Sequence, residues 1–269
     1  MRMSRRRRRL LAFVATIAIA CGVLTQLDSQ VSTAVGAEGV GQGSFPVVEV
    51  AGLGSDGSGF AKLTAELQGD GVTVLDFDPD EAGVQPLTYR PPAGQDIPEL
   101  ADETVAPALR AALSRAGMDP DTQVVDVVAH SMGGLVMRYL VEQASDSWAS
   151  RVDDLVMVAT PNHGSSVIGW ETSVGGNHFA ALGDDMTPGS RFLDSLGTKE
   201  PAGEVYTTVG GDPWMFRWYR HGSHGFDDQV PSESPFMSGA ANNTRPYLHG
   251  RLLRHDDVVD LVAETLRAD

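Results

Sequence analysis

One cysteine, Cys21, stands in 269 residues. It falls inside an N-terminal segment that reads as a targeting signal, so the body of the chain has no thiol. An intramolecular disulfide, a cysteine nucleophile and a Cys-rich metal site are thereby excluded. Basic residues are also scarce, with 20 Lys and Arg against 36 Asp and Glu and a formal charge of -16. Six of the Arg (Arg2 and Arg5 to Arg9) lie in the first 37 residues beside a single acid, Asp28. The remainder holds 14 basic against 35 acidic residues, a charge of -21. So acidic a body repels phosphate backbones and anionic membranes, which argues against a nucleic-acid partner. The apolar run Leu10 to Leu24, about 15 residues, falls short of a full membrane span. There is no internal repeat.

What is present at the N-terminus is a basic stretch, that apolar run, and the small-residue exit Ala34-Val35-Gly36-Ala37. This order reads as an export signal over residues 1–37, cleaved after Ala37. An uncleaved anchor is one alternative, and a lipobox at Ala18-Ile19-Ala20-Cys21 is another. Arg7 to Leu11 also resembles a twin-arginine signal. A secreted location is expected, with membrane contact only through this segment if it stays uncleaved. Residues 38–269 suit one domain with a single substantial core.

From Val47 onward, short β-rich runs alternate with helical patterns. Strands are expected at Val47–Ala51, Val72–Phe77, Val124–Ala129, Leu155–Ala159 and Val205–Val209. Helices are expected at Ser58–Gln68, Glu99–Ala116 (kinked or restarted at Pro107), Gly133–Gln143 and Asp256–Arg267. The segment Asp78–Pro98, with five prolines and two glycines, reads as loop, as does most of Gly210–Asn243. Such alternation implies an α/β fold: a mainly parallel sheet covered by helices on both faces, with ligands bound beyond the carboxyl ends of the strands.

The chemistry concentrates at Val124-Val125-Asp126-Val127-Val128-Ala129-His130-Ser131-Met132-Gly133-Gly134-Leu135. A buried-type strand runs straight into a helix with Ser131 at the junction. Ala129 and Gly133, two residues either side, let strand and helix pass. This is the context of a nucleophile elbow, whose sharp turn presents the serine hydroxyl. The N–H of Met132 opens the helix, where donors are unpaired and the dipole favours negative charge, so it suits a developing oxyanion. His130, adjacent to the serine, points elsewhere and reads as structural.

On these residues the chain resembles the α/β-hydrolase superfamily, and more narrowly the secreted bacterial lipases and esterases of the Bacillus and Pseudomonas types. The resemblance runs from Val47 to the end. It is supported by Val158-Ala159-Thr160-Pro161-Asn162-His163-Gly164-Ser165 and by Leu248-His249-Gly250-Arg251-Leu252-Leu253 ahead of an amphipathic helix. It implies a second oxyanion donor after the first strand, the N–H of Leu53 in Ala51-Gly52-Leu53-Gly54. The family has His where this chain has Ala51, and usually Gly where it has Ala129.

A serine nucleophile needs a base, and the base needs an orienting carboxylate. The chain order implied by the resemblance is Ser, acid, His. His249 fits the base, with His255 as the alternative. Alignment on Val230-Pro231 places Asp227 as the acid and Asp228 where Gly is usual; Asp228 and Asp212 remain alternatives. Pro213 to Tyr219, with Phe179 and Leu182, is a candidate acyl-pocket lining or cover. Asp76, Asp78, Asp80 and Glu81 resemble a calcium loop, but Pro79 interrupts them and no Gly holds the turn. No metal and no cofactor are therefore expected. The expected function is a secreted esterase or lipase acting on a small-molecule or lipid ester. Thioester or amide hydrolysis, acyl transfer, and a catalytically silent binding protein remain as alternatives.

Overall fold

The computed structural model describes residues 45–144, 148–168, 179–197, 205–213 and 225–267, all within the second of the chain's two units, Ala37–Asp269. The segment read as an export signal, the aromatic run from Trp214 to Tyr219, and His178, His221 and His224 lie outside the described residues.

Five strands make one parallel sheet in the order β1 (Val47–Val50), β2 (Val125–His130), β3 (Val152–Val158), β4 (Val205–Gly211) and β5 (Ala241–Arg245). Alternate side chains on a strand face opposite ways, and both faces here are covered. Val48, Val50, Val127, Ala129, Leu155 and Met157 enter one apolar layer. Val47, Ala51, Val128, Val156 and Val158 enter the other. This double burial is why the inner strands read as continuous apolar runs rather than as alternating ones.

The helices follow in chain order: α1 (Ala61–Gly69), α2 (Ile97–Leu100), α3 (Ala106–Arg115), α4 (Met132–Glu142), α5 (Ala180–Asp185), α6 (Arg191–Leu196) and α7 (Asp256–Thr265). Leu63 and Leu67 of α1 pack with Val258, Val259 and Val262 of α7 in the second layer. Leu109 and Leu113 of α3 and Leu135 to Met137 of α4 fill the first. All strands being parallel, their carboxyl ends, and the loops that follow them, share one edge of the sheet.

The helix expected over Glu99–Ala116 begins earlier and is interrupted. A capping box starts it at Ile97: Asp96 Oδ1 accepts the Glu99 N–H at 2.9 Å, and Glu99 Oε2 accepts the Asp96 N–H at 3.4 Å. A π turn, Ala101–Val105, then separates α2 from α3, with the Ala106 N–H reaching back to Ala101 O. Pro107 has no N–H to give and its ring needs room, and the wider turn just before it supplies both.

Two expectations differ from the fold. Val72–Phe77 forms no strand; it makes one bridge, Val74 to Val47, before Asp76 Oδ1 accepts the N–H groups of Asp78 and Gln85 and turns the chain. The Asp76 carboxylate thus serves the loop's own backbone. Conversely, Ala241–Arg245 begins in the segment read as loop, which runs to Asn243, yet pairs with β4. Its side chains are largely exposed and polar, so it lacks an apolar period. Asn242 secures it by accepting from Thr208 Oγ1 at 2.7 Å and from the Met237 N–H at 2.9 Å.

Candidate active site

Ser131 caps α4 with φ 55° and ψ -130°, a left-handed region that L side chains avoid. The turn is held by the Ser131 N–H donating to Val158 O at 2.9 Å and by the Gly134 N–H donating to Ser131 O at 3.1 Å. The helix then passes close to two other strand ends. A β-carbon on Gly133 would stand 2.7 Å from Ala51 O, and one on Gly134 would stand 2.1 Å from Thr160 Oγ1. Gly133 is the clearance expected from the elbow pattern. Gly134 is a second one that the pattern does not demand, and Ala129 fits fully buried in the apolar layer.

The Ser131 hydroxyl donates to His249 Nε2 at 2.9 Å. On the other side of the ring, His249 Nδ1–H donates to Asp227 Oδ2 at 3.0 Å. Both ring nitrogens are thereby occupied, by the serine and by Asp227, across sequence separations of 118 and 22 residues. All three side chains are buried. Asp227 Oδ1 accepts the N–H groups of Val230 at 2.6 Å and Gln229 at 3.0 Å, which fixes the carboxylate so that Oδ2 faces the imidazole.

The alternatives lie elsewhere. Asp228 adopts φ 87°, which accounts for the glycine usual at this position, and its Oδ1 meets the His249 backbone N–H at 3.3 Å rather than the ring. Asp212 follows β4 and sits against Gly225, whose β-carbon would fall 1.7 Å from Asp212 Oδ1. His255 stacks on Tyr247, with ring centroids 3.4 Å apart and planes 5° off parallel. His130 lies beside the base: its Nε2–H donates to His249 O at 3.0 Å, with ring centroids 4.8 Å apart. Burial, and then the neighbouring His249, hold the His130 pKa down to about 3, so this ring is neutral near pH 7.

Met132 follows the serine, and Leu53 follows Gly52, which abuts Ser131 Cβ. Met132 is the first residue of α4, where helix geometry leaves the N–H without an internal acceptor. Leu53 lies in a turn closed by the Ser55 N–H on Gly52 O at 3.2 Å. The loop needs no histidine at position 51, because the Ala51 N–H donates to Leu87 O at 2.9 Å and its methyl is buried. Neither the Leu53 nor the Met132 N–H has a hydrogen-bond partner among the described residues. No group of three or more His, Cys, Asp or Glu among the described residues is arranged to hold a metal ion.

A further set of residues around the site escapes the sequence patterns. Ser165 Oγ donates to Gln229 O at 2.5 Å, Ser234 Oγ donates to Gly164 O at 2.7 Å, and the His163 N–H donates to Ser234 O at 3.1 Å. They fasten the turn after β3 to the loop bearing Asp227.

Comparisons with known proteins are consistent with this architecture. A family model described as a domain of unknown function (DUF7379) matches residues 101–171, the segment containing the elbow. No curated protein sequence matches the chain. Among solved structures, the mature lipase BlEst2 of Bacillus licheniformis is similar at a TM-score of 0.64 and 16% identity, covering 86% of this chain and 96% of that one. The phospholipase PlaB of Legionella pneumophila is similar at a TM-score of 0.60 and 15% identity over 84% of this chain, which spans 60% of PlaB. The lin2722 product of Listeria innocua is similar at a TM-score of 0.55 and 17% identity, covering 84% of this chain and 95% of that one. The chain has the α/β-hydrolase fold, with a bacterial lipase and a bacterial phospholipase among the solved structures it resembles.

Proposed function

We propose that this chain is an exported serine hydrolase that cleaves carboxylic esters, with Ser131 as nucleophile, His249 as general base and acid, and Asp227 as the carboxylate that orients the imidazole. The observation that carries the reading is the unbroken hydrogen-bond chain from Ser131 Oγ through His249 to Asp227 Oδ2. A serine hydroxyl is a weak nucleophile until a positioned base takes its proton, and the base is held in the useful tautomer by a carboxylate on its other nitrogen.

Ser131 Oγ attacks the ester carbonyl carbon while its proton passes to His249 Nε2. The N–H groups of Leu53 and Met132 stabilise the oxyanion that forms. Its collapse breaks the carbon–oxygen bond to the alcohol, which leaves with the proton from Nε2. Water then adds to the acyl-serine, giving a proton to Nε2, and the carboxylic acid departs as Ser131 is reprotonated. Asp227 stays ionised and stabilises the imidazolium in both halves.

The lipase and phospholipase among the structural neighbours favour an ester over other acyl groups, with a lipid or a small alcohol as the leaving portion. The test is turnover of p-nitrophenyl esters of graded acyl length beside thioester and amide analogues. Ester turnover that falls by about 10³-fold or more in Ser131→Ala supports the reading. Undiminished turnover in that variant, or a preference for the thioester or amide, refutes it.

A further inference from the structure

Arg138 stands on α4, seven residues beyond the nucleophile, and is fully buried. Its guanidinium pairs with Glu142 one turn on, Nε to Oε1 at 2.8 Å and Nη2 to Oε2 at 3.1 Å. The remaining donors go to separate segments. Nη1 meets Asn162 Oδ1 at 3.2 Å, and Nη2 meets Leu196 O at 3.1 Å and Gly197 O at 3.3 Å at the end of α6. Glu142 Oε1 also accepts the Tyr206 hydroxyl at 3.1 Å.

A buried ion pair is seldom more stabilising than apolar side chains of the same volume. What guanidinium offers and a Leu or Met does not is direction, with several donors in one rigid plane. The direction taken here leads to the acid. Asn162, held by its Oδ1 on Arg138, donates Nδ2–H to Pro235 O at 2.8 Å. Next to Pro235, Ser234 is joined to His163 and Gly164, and Ser165 is joined to Gln229. The Gln229 N–H in turn binds Asp227 Oδ1. The Asn162 amide thus bridges the nucleophile helix and the acid loop.

We propose that Arg138 is a positioning residue for the Asp227–His249 pair, holding the loop that carries Asp227 in register with the nucleophile helix through Asn162. The inference rests on the triad assignment above. A shift of the loop would lengthen the charge-assisted bond between Asp227 and the imidazole, and the imidazolium would lose part of its stabilisation. The titratable groups facing the His249 ring are Asp227 and His130; Asp228 faces its backbone.

The test is the titration of His249 followed by nitrogen-15 NMR, alongside thermal unfolding, in the wild-type chain, Arg138→Lys and Asn162→Asp. Arg138→Lys keeps the charge and loses the fork. Asn162→Asp keeps an acceptor for Arg138 and loses the donor to Pro235. The His249 pKa is expected to fall in both variants by about half a unit or more, with ester kcat down about 10-fold and KM little changed. A new carboxylate at position 162 would by charge alone raise that pKa, so a fall there reports geometry. Variants that melt earlier while His249 titrates as in wild type overturn the proposal. If Arg138→Lys does not fold, Asn162→Asp decides. The titration needs no turnover, so a folded wild-type chain inert toward every ester would refute the catalytic reading while the NMR shift still decided the positioning role.

Discussion

A β-carbon on Gly52 would stand 2.8 Å from Cβ of Ser131 and 3.3 Å from Nδ1 of His130. The loop after β1 is pressed against the nucleophile closely enough that only glycine fits between them. On the proposed mechanism Leu53, the next residue, donates to the oxyanion, so the oxyanion site would depend on the residue type at position 52. Gly52→Ala should push the loop away and cost about 10²-fold in kcat, with a melting temperature near that of wild type because an edge loop can yield. Wild-type kcat in a folded Gly52→Ala would remove Leu53 as a donor.

The elbow is legible in sequence because it is local. A buried strand, a serine and a helix with small flanking residues sit within twelve consecutive positions, and the physical demands of the turn are met inside that window. His249 and Asp227 are distant, so only chain order and family likeness point to them; the choice between Asp227 and Asp228 takes the backbone, where one carboxylate faces the ring and the other the His249 N–H. Arg138 is not legible at all. On α4 it reads as one polar residue in an apolar helix, and nothing nearby in sequence shows that Asn162 and the end of α6 converge on it. Gly134 is missed for the same reason, since its neighbour Thr160 comes from the distant turn after β3. The strand β5 is missed because its side chains are largely exposed and its pairing is carried by the backbone and Asn242.

The two small residues flanking the serine are not equivalent. Gly133 faces backbone oxygens at 2.7 and 2.8 Å from a would-be β-carbon, whereas Ala129 already carries its methyl in the core. Gly133→Ala is expected to lose about 3 kcal/mol and most of its activity, and Ala129→Gly to lose about 1 kcal/mol. Urea unfolding of both checks this; equal costs would mean that α4 does not approach β1 as closely as described.

Asp228 occupies a left-handed conformation that costs an L side chain about 1–2 kcal/mol. Asp228→Gly should match or exceed wild-type stability and keep kcat within about twofold. Asp227→Asn, by contrast, should lower kcat by about 10⁴-fold, because the imidazole would lose its carboxylate partner. The reverse ranking of the two variants in an esterase assay would exchange their roles.

Glu49, on β1, is buried with Thr64 Oγ1 donating to its Oε2 at 2.7 Å and no hydrogen-bond partner for Oε1 among the described residues. Burial, only partly opposed by the Thr64 bond, raises its pKa to about 8. The folded chain therefore keeps a proton that the unfolded chain releases above about pH 4.5. The associated stability is full below that pH and is lost as pH rises through about 8. Glu49→Gln has no such proton to lose, so its stability relative to wild type should climb between pH 5 and pH 9. Urea titrations at both ends of that range read the difference; a constant offset would show that Glu49 does not titrate in the fold.

The most direct measurement of the Ser131–His249–Asp227 assignment is fluorophosphonate labelling of the folded chain, read by intact mass and peptide mapping. The expected result is one adduct, on Ser131, absent in Ser131→Ala and formed at least about 10²-fold more slowly in His249→Ala. No adduct on a folded sample, an adduct on another residue, or an equal rate without His249 would contradict it.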